Sequence, residues 1–180
     1  MTWVWTCRAG FEADLAEELR RARCDATVIA PALVGTDKRP AVWPVFARAG
    51  FPVARECSGS PEAIATALGA ALDDAFRGRP AAWILATWVP DADETNPLSA
   101  LARRLDEGAL QLFAGSRPDL DLRRVPSASD VIRYGGMLAQ ACVLSPERVL
   151  VGALPGGDVP SLAPGGRARA TCGWRAARWP

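Results

Sequence analysis

"GGMLAQACVLSPERVLVGALPGG", residues 135–157, is the stretch whose reading decides the fold. Two apolar runs, 137–144 and 149–154, are separated by the four polar residues Ser145-Pro146-Glu147-Arg148. Two strands joined by a short turn make a hairpin. The competing reading is a helix over 128–143. The second run also leads into Gly152 and then Pro155-Gly156-Gly157, which has the look of a loop that cradles a cofactor.

The glycine loop of S-adenosylmethionine (AdoMet) methyltransferases is commonly an acid followed by G-x-x-P-G-G at a strand end. Its glycines let the backbone approach the ligand, and its acid accepts hydrogen bonds from ligand donors. A following helix and further strands complete a pocket at the carboxyl ends of a parallel sheet. Here Leu150 stands in the acid's place, and the residues after Gly157 carry further Pro/Gly breaks. A doubly wound sheet needs several more βα units of about thirty residues each. The stretch therefore reads as a strand end leaving through an exposed turn, and no cofactor-binding residue is assigned to it.

Upstream, "TWVWT" (2–6) reads as a strand, and "FEADLAEELRRAR" (11–23) as a helix with Phe11, Leu15 and Leu19 on one face. Its acids come early and its arginines late, as the helix dipole prefers. "ATVIAPALV" (26–34) and "AVWPVFARA" (41–49) read as two strands around a charged turn, with Pro44 placing the second at an edge or bulge. "SPEAIATALGAALDDAF" (60–76) is a helix capped by Ser60 and opened by Pro61. Strand, helix, strand, strand, helix suits a ferredoxin-like unit with its helices on one face of an antiparallel sheet. After "RGRP" (77–80) the pattern restarts. "AAWILATWVP" (81–90) reads as a strand buried on both faces. A polar turn and a helix follow over 91–113, with Asn96 as cap, and "DLDLRRV" (119–125) alternates like a half-exposed strand. The end, 161–180, is rich in Gly, Pro and Arg and holds no acid, as a linker or frayed terminus would.

The bulk properties narrow the function classes. The chain has 180 residues, room for one domain or two small ones, and its net charge of +1 creates no strong global field. Lys38 is its only lysine, so the basic residues are nearly all arginine. The absence of histidine removes Ser-His-Asp and Cys-His catalysis and any His-containing zinc site. Cys7, Cys24, Cys57, Cys142 and Cys172 form no CxxC pair and read as reduced thiols in small core positions. No apolar run approaches a membrane span and no secretory signal pattern opens the chain, so a cytoplasmic protein is expected.

Two segments together resemble the ribosomal RNA large subunit methyltransferase M family. "TCRAGFEADLAEEL" (6–19) looks like its opening strand, Cys-Arg-x-Gly-Phe-Glu turn and helix. "WVPDADETNPLSALARRL" (88–105) looks like its strand, Asp-Thr-Asn-type turn and helix. The hairpin "ACVLSPERVLVGAL" (141–154) and the segment "APGGRARA" (163–170) follow in the family's order. The resemblance implies an α+β chain. A ferredoxin-like domain would cover 1–78, a THUMP-like α/β RNA-binding domain 79–170, and an unstructured tail or truncated linker 171–180. It further implies the RNA-recognition part of an AdoMet-dependent 2′-O-ribose methyltransferase acting on large-subunit rRNA. In the family the catalytic domain comes after the Gly-Pro-Arg segment; this chain is expected to stop short of it, as a truncated or frame-shifted product would. No catalytic residue is therefore carried over. No cofactor is expected in this chain, although the full-length family uses AdoMet. The expected partner is structured RNA, with the catalytic domain in cis or in trans and with neither membrane nor metal.

The candidate RNA contacts are Arg8, Arg103, Arg104, Arg167 and Arg169. Arg8 sits in the signature turn. Arg103 and Arg104 are placed late in their helix, where they compensate its dipole or reach RNA. Arg167 and Arg169, with Arg175 and Arg178, form the one region of single-signed charge, which suits phosphate positioning. Trp3, Trp5, Trp83 and Trp88 lie inside apolar runs and read as core, whereas Trp174 and Trp179 lie outside any run. Two other readings stay open: a stand-alone small enzyme using the 152–157 loop, and a non-enzymatic protein-interaction module.

Overall fold

The computed structural model describes residues 2–90 and 96–158. The first sheet contains β1 (Trp3–Thr6), β2 (Ala26–Ala30), β3 (Leu33–Thr36) and β4 (Ala49–Pro52), in the order β2-β3-β1-β4 with every pair antiparallel. Helix α1 (Glu12–Arg21) covers one face. The second sheet contains β5 (Arg55–Cys57), β6 (Trp83–Trp88), β7 (Met137–Ser145) and β8 (Arg148–Pro155), in the order β5-β8-β7-β6. Helices α2 (Pro61–Phe76) and α3 (Pro97–Ser116) cover its outer face, with the short helices α4 (Pro118–Asp121) and α5 (Ala128–Arg133) beside them. The architecture is α+β, and the first sheet has the ferredoxin-like strand order.

Strand periodicity sorts the core into three layers. Trp5 and Val34 face α1 through Leu15, Ala16 and Leu19. Their neighbours Val4 and Leu33 turn the other way, with Phe51, onto Leu138, Cys142, Leu150 and Leu154 of the second sheet. Ala139, Ala141, Val149 and Val151 then face α2 and α3 through Ile64, Leu68, Leu72, Leu105 and Phe113. The two sheets thus pack face to face between two helical layers.

The hairpin expected at 137–154 is present as β7 and β8, in register from Met137↔Pro155 to Val143↔Val149. Its helical competitor holds only part of its range: α5 occupies 128–133 and β7 begins at Met137. Ser60 accepts from Ala63 N–H and Asn96 from Leu98 N–H, so the caps of α2 and α3 stand where the sequence puts them.

Several expected elements differ. The strand 26–34 is two strands, because Pro31 cannot donate and Ala32 adopts a left-handed φ of 59° that turns the chain. The strand 41–49 reduces to its last residue: Pro40 and Pro44 withhold donors, and the Glu18 carboxylate captures Val45 and Phe46 N–H at 2.6 and 3.1 Å. The irregular segment 37–48 takes the place over the first sheet expected for the helix 60–76. That helix packs instead on the second sheet, where Ile64, Leu68, Leu72 and Phe76 bury their stripe. The strand 119–125 is a helical turn with a single bridge, Trp83↔Arg124; Leu120 is buried and Leu122 exposed, on opposite sides of a tight turn. The strand at 81–90 is β6, which lies at an edge of the sheet, parallel to β7, and several of its side chains are only half-buried. Phe11 precedes α1 rather than joining its buried face, and stays 39% exposed.

Candidate nucleic-acid interface

The glycine loop is accounted for by packing. β4 runs over β8 on its way into β5, with Ala54 N–H donating to Val151 C=O at 3.0 Å. A Cβ on Gly152 would collide with the Pro52 carbonyl and lie 2.9 Å from the Phe51 ring. A Cβ on Gly156 would lie 2.7 Å from Val131 of α5. β8 is flanked by antiparallel β5 and β7, and a single 3-10 turn, Gly156–Asp158, follows it. This is not the strand–loop–helix geometry that offers a helix N-terminus to a ligand. Among the described residues no His, Cys, Asp or Glu group is placed to hold a metal ion.

The cysteines behave as packing residues. Cys7, Cys24 and Cys142 are buried and Cys57 half-buried. Burial pushes the Cys7 thiol up to about 11 and raises those of Cys24, Cys57 and Cys142, the reverse of what a nucleophile needs. Trp5 and Trp83 are fully buried, and their indole N–H groups reach Thr36 Oγ1 at 3.0 Å and Leu120 C=O at 2.8 Å. Trp88 donates to Gln140 Oε1 at 3.0 Å. Trp174 and Trp179 lie outside the described residues.

Arg8 lies exposed between β1 and α1, where its carbonyl accepts from Phe11 N–H at 3.0 Å. Arg103 and Arg104 are also exposed, but in the middle of α3 rather than late in it, because the helix continues to Ser116. Dipole compensation therefore does not explain them. α1 and α3 cover opposite outer faces of the sandwich, so Arg8 is not gathered with Arg103 and Arg104. Arg167 and Arg169 lie outside the described residues.

What the sequence reading missed sits beside Arg8. The Phe11 and Phe46 rings stack with centroids 6.0 Å apart and planes 26° apart, both substantially exposed. Arg48 N–H donates to Thr6 C=O at 2.7 Å, which brings an exposed Arg48 alongside the end of β1. Neither Arg8 nor Arg48 forms an ion pair among the described residues. The neighbouring carboxylates are turned to backbone donors. Glu12 accepts from Ala32 and Gly10 N–H, and these bonds hold its carboxyl below the ordinary value. Glu18 accepts from Val45 and Phe46. The signal was hidden because 41–49 alternates like a strand, which would have put Phe46 into a sheet.

Fold, packing and rim describe an α+β chain with two face-packed sheets and an arginine- and aromatic-bearing rim. No protein-family model matches the chain, and no curated protein matches it by sequence. Two solved structures share its fold. One is a Listeria monocytogenes protein described as a predicted N6-adenine-specific DNA methylase: 12% identity, TM-score 0.54, covering 86% of this chain and 40% of that one. The other is a Clostridium difficile protein described as a possible methylase: 12% identity, TM-score 0.52, covering 88% of this chain and 42% of that one. The chain thus spans about two fifths of the length of these proteins. At this identity the likeness is one of fold, and it agrees with a ferredoxin-like and THUMP-like arrangement. No helix among the described residues is long and apolar enough to cross a membrane.

Proposed function

We propose that this chain is the RNA-recognition region of an AdoMet-dependent rRNA 2′-O-methyltransferase, holding structured large-subunit RNA for a methyl-transferring domain in cis or in trans. The observation that carries the reading is the fold shared with two methylases over most of this chain and about two fifths of theirs. The exposed, unpaired Arg8 and Arg48 support it, since phosphate contacts position RNA while shape selects it. AdoMet, the cofactor of the whole enzyme, belongs on this reading to the methyl-transferring domain and not to residues 152–157.

A gel shift with a structured large-subunit rRNA fragment tests it. Binding at low salt that weakens as salt rises is expected, and Arg8→Ala should flatten the log–log salt slope by about 1. Absence of a shift even at low salt would overturn the reading in favour of a protein-interaction module. Calorimetric titration of the 180-residue chain with AdoMet should show no binding. Micromolar binding abolished by Gly157→Val, a position with open space around it, would assign the loop to the cofactor instead.

A further inference from the structure

We propose that Phe11 and Phe46 form a stacking platform for an unpaired RNA base, with Arg8 and Arg48 on the flanking phosphates; this rests on the RNA-recognition reading above. Exposed phenylalanine is the informative kind of surface residue, and here two rings are 39% and 42% exposed while already stacked on each other. The platform is held in place before any ligand arrives. Phe46 N–H and Val45 N–H are fixed by the Glu18 carboxylate, and Ala47 N–H donates to Pro44 C=O at 3.3 Å. Pro44 and Ala47 are buried, so the loop is anchored on both sides of Phe46. Phe11 is fixed between its bond to the Arg8 carbonyl and the Leu15 N–H that it accepts at 3.0 Å. Such pre-organisation lowers the ordering cost of binding.

Charge selects the occupant. Arg8 and Arg48 make no ion pair among the described residues, while Glu12 and Glu18 direct their carboxylates at backbone N–H groups. Asp14, one turn into α1, is the exposed acid nearest in sequence. Unpaired guanidinium groups beside a π face complement a phosphate-linked base, and bases stack on aromatic side chains when they are free of a duplex. The platform therefore takes a single-stranded overhang or loop rather than a paired stem.

The test compares two RNAs with the full chain: a blunt hairpin, and the same hairpin with a short 3′ overhang carrying 2-aminopurine. Wild type should bind the overhang RNA more tightly and quench the 2-aminopurine. Phe46→Ala should weaken overhang binding about tenfold, the loss of one stacked base, abolish the quench and leave blunt-hairpin binding unchanged. Phe46→Trp should restore quench and affinity, which a merely structural role would not require. If Phe46→Ala and Phe11→Ala both bind and quench like wild type, the platform is wrong and the RNA reading stands. If wild type binds neither RNA at low salt, both fall, and the exposed Phe11, Val45 and Phe46 become a protein-docking surface.

Discussion

Gly152 carries the clearest consequence of a single side chain. An added methyl group has to displace the Pro52 backbone where the chain crosses from one sheet to the other. Gly152→Ala is expected to cost about 3 kcal/mol, read from the midpoint of chemical denaturation. Gly157 has nothing within 4 Å of an added Cβ, so Gly157→Ala should shift stability by less than about 0.5 kcal/mol. A cofactor loop would instead need both glycines for close ligand approach. The PGG pattern was legible in the sequence, but the reason for Gly152 was not, because Pro52 lies a hundred residues away along the chain.

Helix α3 meets β6 through Asp106, whose Oδ1 accepts from Thr87 Oγ1 at 2.7 Å. Burial raises this carboxyl above its ordinary value, against the opposing Thr87 bond. The folded state therefore holds that proton more tightly than the unfolded chain. The group's contribution to stability falls as pH rises from the ordinary carboxyl value through the raised one, and the cost of the buried charge is complete above it. Asp106→Asn keeps an acceptor for Thr87 and removes the charge. Thermal melts between about pH 4 and pH 8 should show the variant gaining on wild type as pH rises, with the difference flat at neutral pH. Glu12 has the opposite sign: its lowered carboxyl stabilises the fold above the ordinary value, and that support is lost as pH falls through the folded value. Helix α2 is tied to the end of α3 by Arg117, whose guanidinium reaches both Asp73 oxygens at 2.9 and 3.0 Å and Asp119 at 3.0 Å. Arg117 is partly exposed, so Arg117→Ala should cost only about 1 kcal/mol, and less near 1 M salt.

The whole molecule turns on the layer between its sheets, where Val4, Leu33 and Phe51 meet Leu138, Leu150 and Leu154. Leu138→Ala opens that layer and should cost about 3 kcal/mol. Tryptophan fluorescence and far-UV circular dichroism should still report one coincident transition, because both sheets share the damaged core. Two separated transitions would show that the sheets fold independently. The sequence by itself determined the local features. α1 carries its charge order, Ser60 and Asn96 cap their helices, and two apolar runs around Ser145-Pro146-Glu147-Arg148 form a hairpin. Each of these rests on residues a few positions apart, where sterics and hydrogen bonding act without the rest of the chain. Only the tertiary structure decided which sheet received helix 61–76, and that 41–48 became an anchored loop with Phe46 outward. It also decided that Gly152 serves a backbone crossing. An amphipathic stripe specifies that a face must be buried but not against what, and an alternating run does not reveal that a carboxylate from another helix will claim its N–H groups.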